Sequence, residues 1–364
     1  MHLVPSLLRA VPVRVGVRWA RAIWFRPGGA SRCASPRSPR AFAAMCLATS
    51  VAAVACTPVA VAAVRNGDIL INDAMGAATS SRQLAPYRAS LDGTRLEPIT
   101  VPELWRLIGR SPDGRWVARR PAPTGPASFE RYSGIVVERV TGGSRGRIAR
   151  HLALSGGLRW SPDSRRLVFV GARRDSARTA IFVSTRKGRA VHQLTRRGRY
   201  IEARFSPDGE SVLAVRDGRR QALVTIPVSG GSPSTVAVVR RGRVAGLEWA
   251  PNGKRIVYGL EVFIPPDPED EDPIPGTEET INVVTSTGRG RRSLGGGHWP
   301  SYSPDGRFIV FQGRCLPGDD TPGVCAMRSS GSGRRVVASW DERGLFRPEL
   351  AGLSTQAGSP WIPD

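Results

Sequence analysis

Two near-identical tetrapeptides, Arg196-Arg197-Gly198-Arg199 and Arg240-Arg241-Gly242-Arg243, are the residues of this chain best placed to recognise something charged. Guanidinium groups gathered on adjacent loops focus positive potential and attract anions, so these arginines form a candidate binding site for an anionic partner. Arg173, Arg174, Arg178, Arg219 and Arg220 fall on loops of the same side. The competing reading is a solvated surface set by GC-rich coding. Of 53 basic residues only Lys187 and Lys254 are lysine, and Arg186, Lys187, Arg189, Arg289, Arg291 and Arg292 crowd the opposite side. The formal net charge of +23 therefore does not by itself point to a partner.

Chemistry of the catalytic kind has fewer candidates. Beyond the first 63 residues there are three histidines, His151, His192 and His298. His192 reads as packing or surface, which leaves His298, just ahead of Trp299, as the one an enzyme would engage. No Gly-x-Ser-x-Gly elbow or His-Glu-x-x-His motif is present. No pair of carboxylates stands out by spacing, so no catalytic residue, cofactor or metal site is assigned. The acidic run Pro265-Pro266-Asp267-Pro268-Glu269-Asp270-Glu271-Asp272-Pro273 lacks the Asp/Asn/Gly spacing of an ordered calcium loop and reads as a solvated loop, or as one that folds back on the arginines. Cys315 and Cys325 flank a short loop between neighbouring strands, where a disulfide would stabilise by about 2 to 3 kcal/mol on the chain-entropy estimate. Asp319 and Asp320, the nearest other ligands, suit thiolate-held metals poorly.

The elements that position these residues are announced by a repeated phrase, aromatic-Ser-Pro-Asp-Gly. Its copies are Trp160-Ser161-Pro162-Asp163, Phe205-Ser206-Pro207-Asp208-Gly209, Trp249-Ala250-Pro251-Asn252-Gly253 and Tyr302-Ser303-Pro304-Asp305-Gly306, with a weaker Ser111-Pro112-Asp113-Gly114. Proline to proline, the steps are 50, 45, 44 and 53 residues (112, 162, 207, 251, 304), near the roughly 40 to 50 residues of a propeller blade. Proline presets φ, the Asp or Asn side chain bonds the backbone two residues on, and glycine accepts a positive φ, so the phrase is a hairpin turn. Strand-forming runs follow each copy, such as Leu167-Val168-Phe169-Val170 and Phe308-Ile309-Val310-Phe311. Each unit therefore has four strands, A to D, with the phrase between A and B.

The ends complete one another. The segment from Gly67 carries B-, C- and D-like strands without a preceding phrase, and the chain stops at Pro360-Trp361-Ile362-Pro363-Asp364, which supplies an A strand. The expected fold is all-β: a six-bladed β-propeller of four-stranded antiparallel blades, closed by pairing the amino- and carboxyl-terminal segments in one shared blade. In it the D-to-A and B-to-C connections share one face, around the mouth of a central channel.

The repeated phrase and its spacing, from near Gly67 to Asp364, resemble the TolB-like propeller repeat of bacterial periplasmic and secreted proteins. The resemblance implies the fold and an extracytoplasmic setting. It says little of function, and the extra amino-terminal domain of TolB itself has no counterpart here.

Three segments are expected: a basic extension at 1–40, a signal peptide or membrane anchor at 41–63, and the propeller at 64–364. Eight arginines without an acidic residue precede the uncharged stretch from Ala41 to Val64, as in an export signal cleaved near Ala62 or Ala63. An uncleaved anchor and lipidation at Cys56 are the alternatives. The expectation for function is an exported, non-catalytic, monomeric binding module for a protein or an anionic cell-envelope polymer. The alternative is a propeller hydrolase or lyase acting on a glycan, lactone or peptide at the channel. Nucleic acid is not expected, because an exported chain with no aromatic stacking platform suits it poorly.

Overall fold

The computed structural model describes residues 66–73, 86–100, 109–119, 133–143, 145–173, 176, 178–266, 276–316, 318, 321–339, 348–350 and 360–362. The leader, the acidic run from Asp267 onward, Arg174, Asp319 and Asp320 lie outside the described residues. In chain order, β1 (Asp68–Asp73), β2 (Pro86–Ala89) and β3 (Leu96–Pro98) belong to the first sheet. The second holds β4 (Trp116–Arg119), β5 (Ser133–Arg139), β6 (Arg145–Trp160), β7 (Arg166–Arg173), β8 (Ala180–Thr185) and β9 (Val191–Gln193). The third holds β10 (Arg199–Phe205), β11 (Ser211–Asp217), β12 (Ala222–Pro227) and β13 (Ser234–Val238). The fourth holds β14 (Arg243–Trp249), β15 (Arg255–Ile264), β16 (Gly276–Thr285) and β17 (Arg292–Gly296). The fifth holds β18 (His298–Tyr302), β19 (Phe308–Arg314), β20 (Pro322–Arg328) and β21 (Arg335–Ser339). Finally β22 (Pro348–Leu350) and β23 (Trp361–Ile362) return to the first sheet and both pair with β1.

All strand pairs are antiparallel, and the sheets are the blades of a propeller. Among the described residues they number five, not the six expected. The cause lies in β6, which runs unbroken for 16 residues and pairs with β5 at one end and β7 at the other. The last strand expected of one blade and the first of the next are therefore one strand, and two expected blades join in a single six-stranded sheet. Ala149, at φ +51°, and a register shift opposite Ser133 and Ile135 carry β6 through this change of partner. The joined sheet packs on itself, with Ala118, Ile135 and Val137 against Leu167, Phe169 and Phe182.

The repeated phrase forms the same clamp each time. In the third sheet Ser206 Oγ donates to Asp208, Asp208 Oδ1 accepts from the Glu210 amide at 2.9 Å, and Ser206 Oγ accepts from the Ser211 amide at 2.9 Å. Gly209 then sits at φ +74°, in the left-handed region that glycine takes without penalty. Ser161, Ser303 and Ser111 head equivalent clamps. Ser164 replaces the glycine of its copy at φ +60°, and its hydroxyl accepts from the Asp113 amide at 2.9 Å, so the side chain joins two turns. The same clamp recurs between β2 and β3, where hydrogen bonds from the Ser90 and Thr94 hydroxyls hold the Asp92 carboxyl down to about 2.

Apolar cores fill the seams between sheets. Val168 and Val170 of the second meet Ala203 and Val212 of the third, and Ile69 and Ile71 of the first meet Val310 and Val324 of the fifth. A disulfide joins Cys315 to Cys325 with Cα atoms 5.2 Å apart, tying the end of β19 to β20.

Closure is made at β1. Ile69 pairs with Trp361, the Leu70 amide donates to Pro360 O at 2.7 Å, and Trp361 is fully buried in the first–fifth seam. Trp361→Ala should lower the unfolding free energy by about 3 to 5 kcal/mol, the usual cost of emptying a buried indole site. Urea unfolding checks this, and an unchanged midpoint would show that the carboxyl-terminal strand does not hold the fold.

Candidate functional site: a buried charged ring on the first strands

Because the clamp fixes where each strand pair begins, the residue just ahead of the aromatic occupies an equivalent place in successive sheets. These residues are Arg159 in β6, Arg204 in β10, Glu248 in β14 and Ser301 in β18. β6 lies against β10 and β14 against β18, so the four converge. Arg204 reaches Glu202 through Nε at 3.1 Å and Nη2 at 3.0 Å, and approaches Glu248 through Nη1 at 3.8 Å. Ser301 Oγ donates to the other Glu248 oxygen at 2.5 Å. Arg159 donates from Nη1 to Leu158 O at 3.1 Å, and its Nε has no partner among the described residues.

Burial governs the electrostatics. It pushes the Glu248 carboxyl above the usual carboxylate range, opposed by Arg204, the Ser301 hydroxyl and Arg159. It also pulls the Arg159 guanidinium down to about 9, assisted by the like charge of Arg204, so Arg159 stays cationic at neutral pH. Beside the ring, burial raises the Tyr302 hydroxyl to about 12. Spacing did not disclose this group, since Glu202 and Glu248 lie on different strands. Reading one residue upstream of each aromatic would have found it.

His298 opens β18 and pairs by its backbone with Gln312. Its Nδ1 meets Glu279 Oε2, and its ring stands edge-on to Trp299 at 4.8 Å. Trp299 is at φ +48°, and a Cβ on Gly246 would come within 3.1 Å of its Cα, so glycine there makes room for it. No hydroxyl or thiol nucleophile bonds this histidine among the described residues. His192, in β9, is exposed.

The two arginine tetrapeptides run from the connections into the strands, with Arg199 opening β10 and Arg243 opening β14. Arg199 faces Asp217 at 3.9 Å and Arg243 meets Glu261 at 2.5 Å. Arg196, Arg197, Arg240 and Arg241 are exposed. The ring and these arginines are separate groups. Other arginines serve the seams: Arg166 donates to Gly209 O at 3.0 Å, Arg291 to Val238 O at 3.3 Å, Arg292 to Ser330 O at 3.0 Å, Arg334 to Leu294 O and Gly296 O at 2.9 Å, and Arg335 to Leu91 O at 3.1 Å. Each bond joins one sheet to the next. Among the described residues no group of three or more His, Cys, Asp or Glu side chains is placed to hold a metal ion.

The sheets define a β-propeller. No family model matches the chain, and no curated protein matches it. Among solved structures it is similar to a protein assigned as TolB from Agrobacterium tumefaciens, at 15% identity over 81% of this chain and 94% of that one, with a TM-score of 0.49. A chain of the nidogen–laminin complex is 14% identical over 78% and 96%, with a TM-score of 0.47. Oligogalacturonate lyase from Vibrio parahaemolyticus is 12% identical over 67% and 71%, with a TM-score of 0.42. The architecture of the present chain rests on its own strand pairing.

Glu248 makes stability pH-dependent in a definite direction. Its folded-state pKa is raised, so its contribution is complete below the unfolded value of about 4.3 and is lost as pH rises through the folded value. Urea midpoints of the wild type should therefore fall relative to Glu248→Gln as pH climbs from about 4 toward 8, by at most about 1.4 kcal/mol per pH unit. A difference between the two curves that does not change with pH would contradict the burial argument.

Proposed function

We propose that this propeller is an exported, monomeric, non-catalytic binding module whose basic loops take an anionic partner, a protein surface or a cell-envelope polymer. The observation that carries the reading is the unequal treatment of the repeated arginines. Arg199 and Arg243 are matched by Asp217 and Glu261, whereas Arg196, Arg197, Arg240 and Arg241 are exposed and, among the described residues, have no acidic partner. Four unmatched cations on two successive connections form a localised positive field, which raises the encounter rate with anions and weakens with salt. Export is supported by the basic-then-apolar leader sequence and by the Cys315–Cys325 disulfide, which persists in oxidising compartments. The leader is either removed or retained as a membrane attachment.

A second reading, a hydrolase or lyase acting at the channel, is favoured by the His298–Glu279 pair beside the left-handed Trp299. One set of assays separates the two. With an envelope extract and with heparin as a polyanion probe, the double variant Arg197→Glu/Arg241→Glu should bind about tenfold more weakly than wild type at low salt, with the difference shrinking as salt is added. Equal retention of both proteins would overturn the binding reading. Turnover of a polyuronate or peptide that disappears in His298→Ala would replace it with the enzymatic one.

A further inference from the structure

The ring on the first strands contains one cation that its own chain leaves unanswered. Arg204 is served by Glu202, two residues ahead of it on β10, and by Glu248. Arg159 stands at the equivalent place on β6, yet two residues ahead of it is Gly157. The carboxylate that β10 supplies from within is missing from β6. Among the described residues Arg159 has no carboxylate within 4.0 Å, only the Leu158 carbonyl on Nη1, and its Nε bonds nothing. Its residue is 9% exposed, so water reaches little of it. A buried guanidinium with five donors and so few acceptors is a poor resting arrangement unless something else fills the shortfall.

The surroundings favour a planar anion. Both carboxylates of the ring are engaged, Glu202 by Arg204 and Glu248 by Arg204 and Ser301, so neither is free to turn to Arg159. A Cβ built on Gly157 would lie 3.3 Å from Ala203 O, 3.4 Å from Ala203 N and 3.8 Å from Glu202 Cγ, so the position lies beside the Glu202–Arg204 pair and too close to the Ala203 backbone for a β6 side chain to supply the acid from there. We propose that Arg159 anchors a carboxylate-binding site on the ring, in which the carboxylate of a small ligand takes the part on β6 that Glu202 plays on β10. Guanidinium binds carboxylate through two parallel hydrogen bonds, which a lone halide cannot reproduce. The site is separate from the exposed arginines of the connections and stands whether or not these bind a polymer.

Two sources of carboxylate are distinguished by the probes, galacturonate for a uronic acid and tetra-alanine with a free or amidated carboxyl terminus for a peptide end. Each is titrated into the full chain at pH about 7.5 and constant ionic strength with chloride as control, read by thermal unfolding and calorimetry. A free-carboxylate probe should raise the unfolding midpoint where chloride and the amidated peptide do not. Arg159→Met should weaken that binding by about tenfold or more. Glu248→Gln, which leaves Arg159 in place and removes a carboxyl group that competes for the cations of the ring, should tighten it by about threefold. The two variants move affinity in opposite directions, so the second decides the matter if the first fails to fold. Equal shifts with chloride, no binding of either carboxylate by the wild type, or unchanged affinity in Glu248→Gln would overturn the proposal and leave Arg159 as a structural counter-charge to Glu202 and Glu248.

Discussion

The serine–aspartate clamp is the constraint on which the rest of the molecule depends. In one turn of four residues it spends a hydroxyl, a carboxylate and a left-handed glycine to fix where two strands start to pair. Once that point is set, the antiparallel ladder determines which side chains enter the seams and which face their counterparts on neighbouring first strands. Arg159, Arg204, Glu248 and Ser301 come together because the same turn is built repeatedly, although they are scattered over 142 residues of sequence (159 to 301). The clamp tolerates a lost hydroxyl at Ala250, where Asn252 still accepts from the Lys254 amide at 3.0 Å.

Much of this was legible in the residues. Turn chemistry is local, so the phrase predicted the hairpins, and the aromatic at the carboxyl terminus announced the pairing of Trp361 with Ile69. Cysteines flanking a short loop gave the disulfide for the same reason. What escaped was set by longer-range geometry. Nothing in the run from Arg145 to Trp160 marks β6 as continuous, because a strand that changes partners has the same composition as two strands with a break between them. β22 is likewise three residues without a turn phrase, and its ladder partner among the described residues is β1. The ring escaped because its charges are neighbours across strands rather than along one.

The arginine excess divides into three physical roles. Some guanidiniums donate to carbonyls across the seams, where a rigid fork reaches from one sheet to the next and a lysine ammonium would not offer the same geometry. Two more are buried in the ring and are governed by desolvation. Others, including Arg196, Arg197, Arg240 and Arg241 of the paired tetrapeptides, are exposed. Arg334 and Arg335 bridge on either side of the fifth sheet.

The pairing of Ile69 with Trp361 also has a temporal meaning. These partners are 292 residues apart (69 to 361), so during synthesis the first sheet waits with this part of its edge unsatisfied until residue 361 has been made. Loop-closure entropy grows only logarithmically with length, so the wait adds little to the final free energy, but it delays closure until the far partner has been made. A nascent or truncated chain therefore presents β1 as an open strand edge, a surface suited to chaperones, whereas the finished ring hides it.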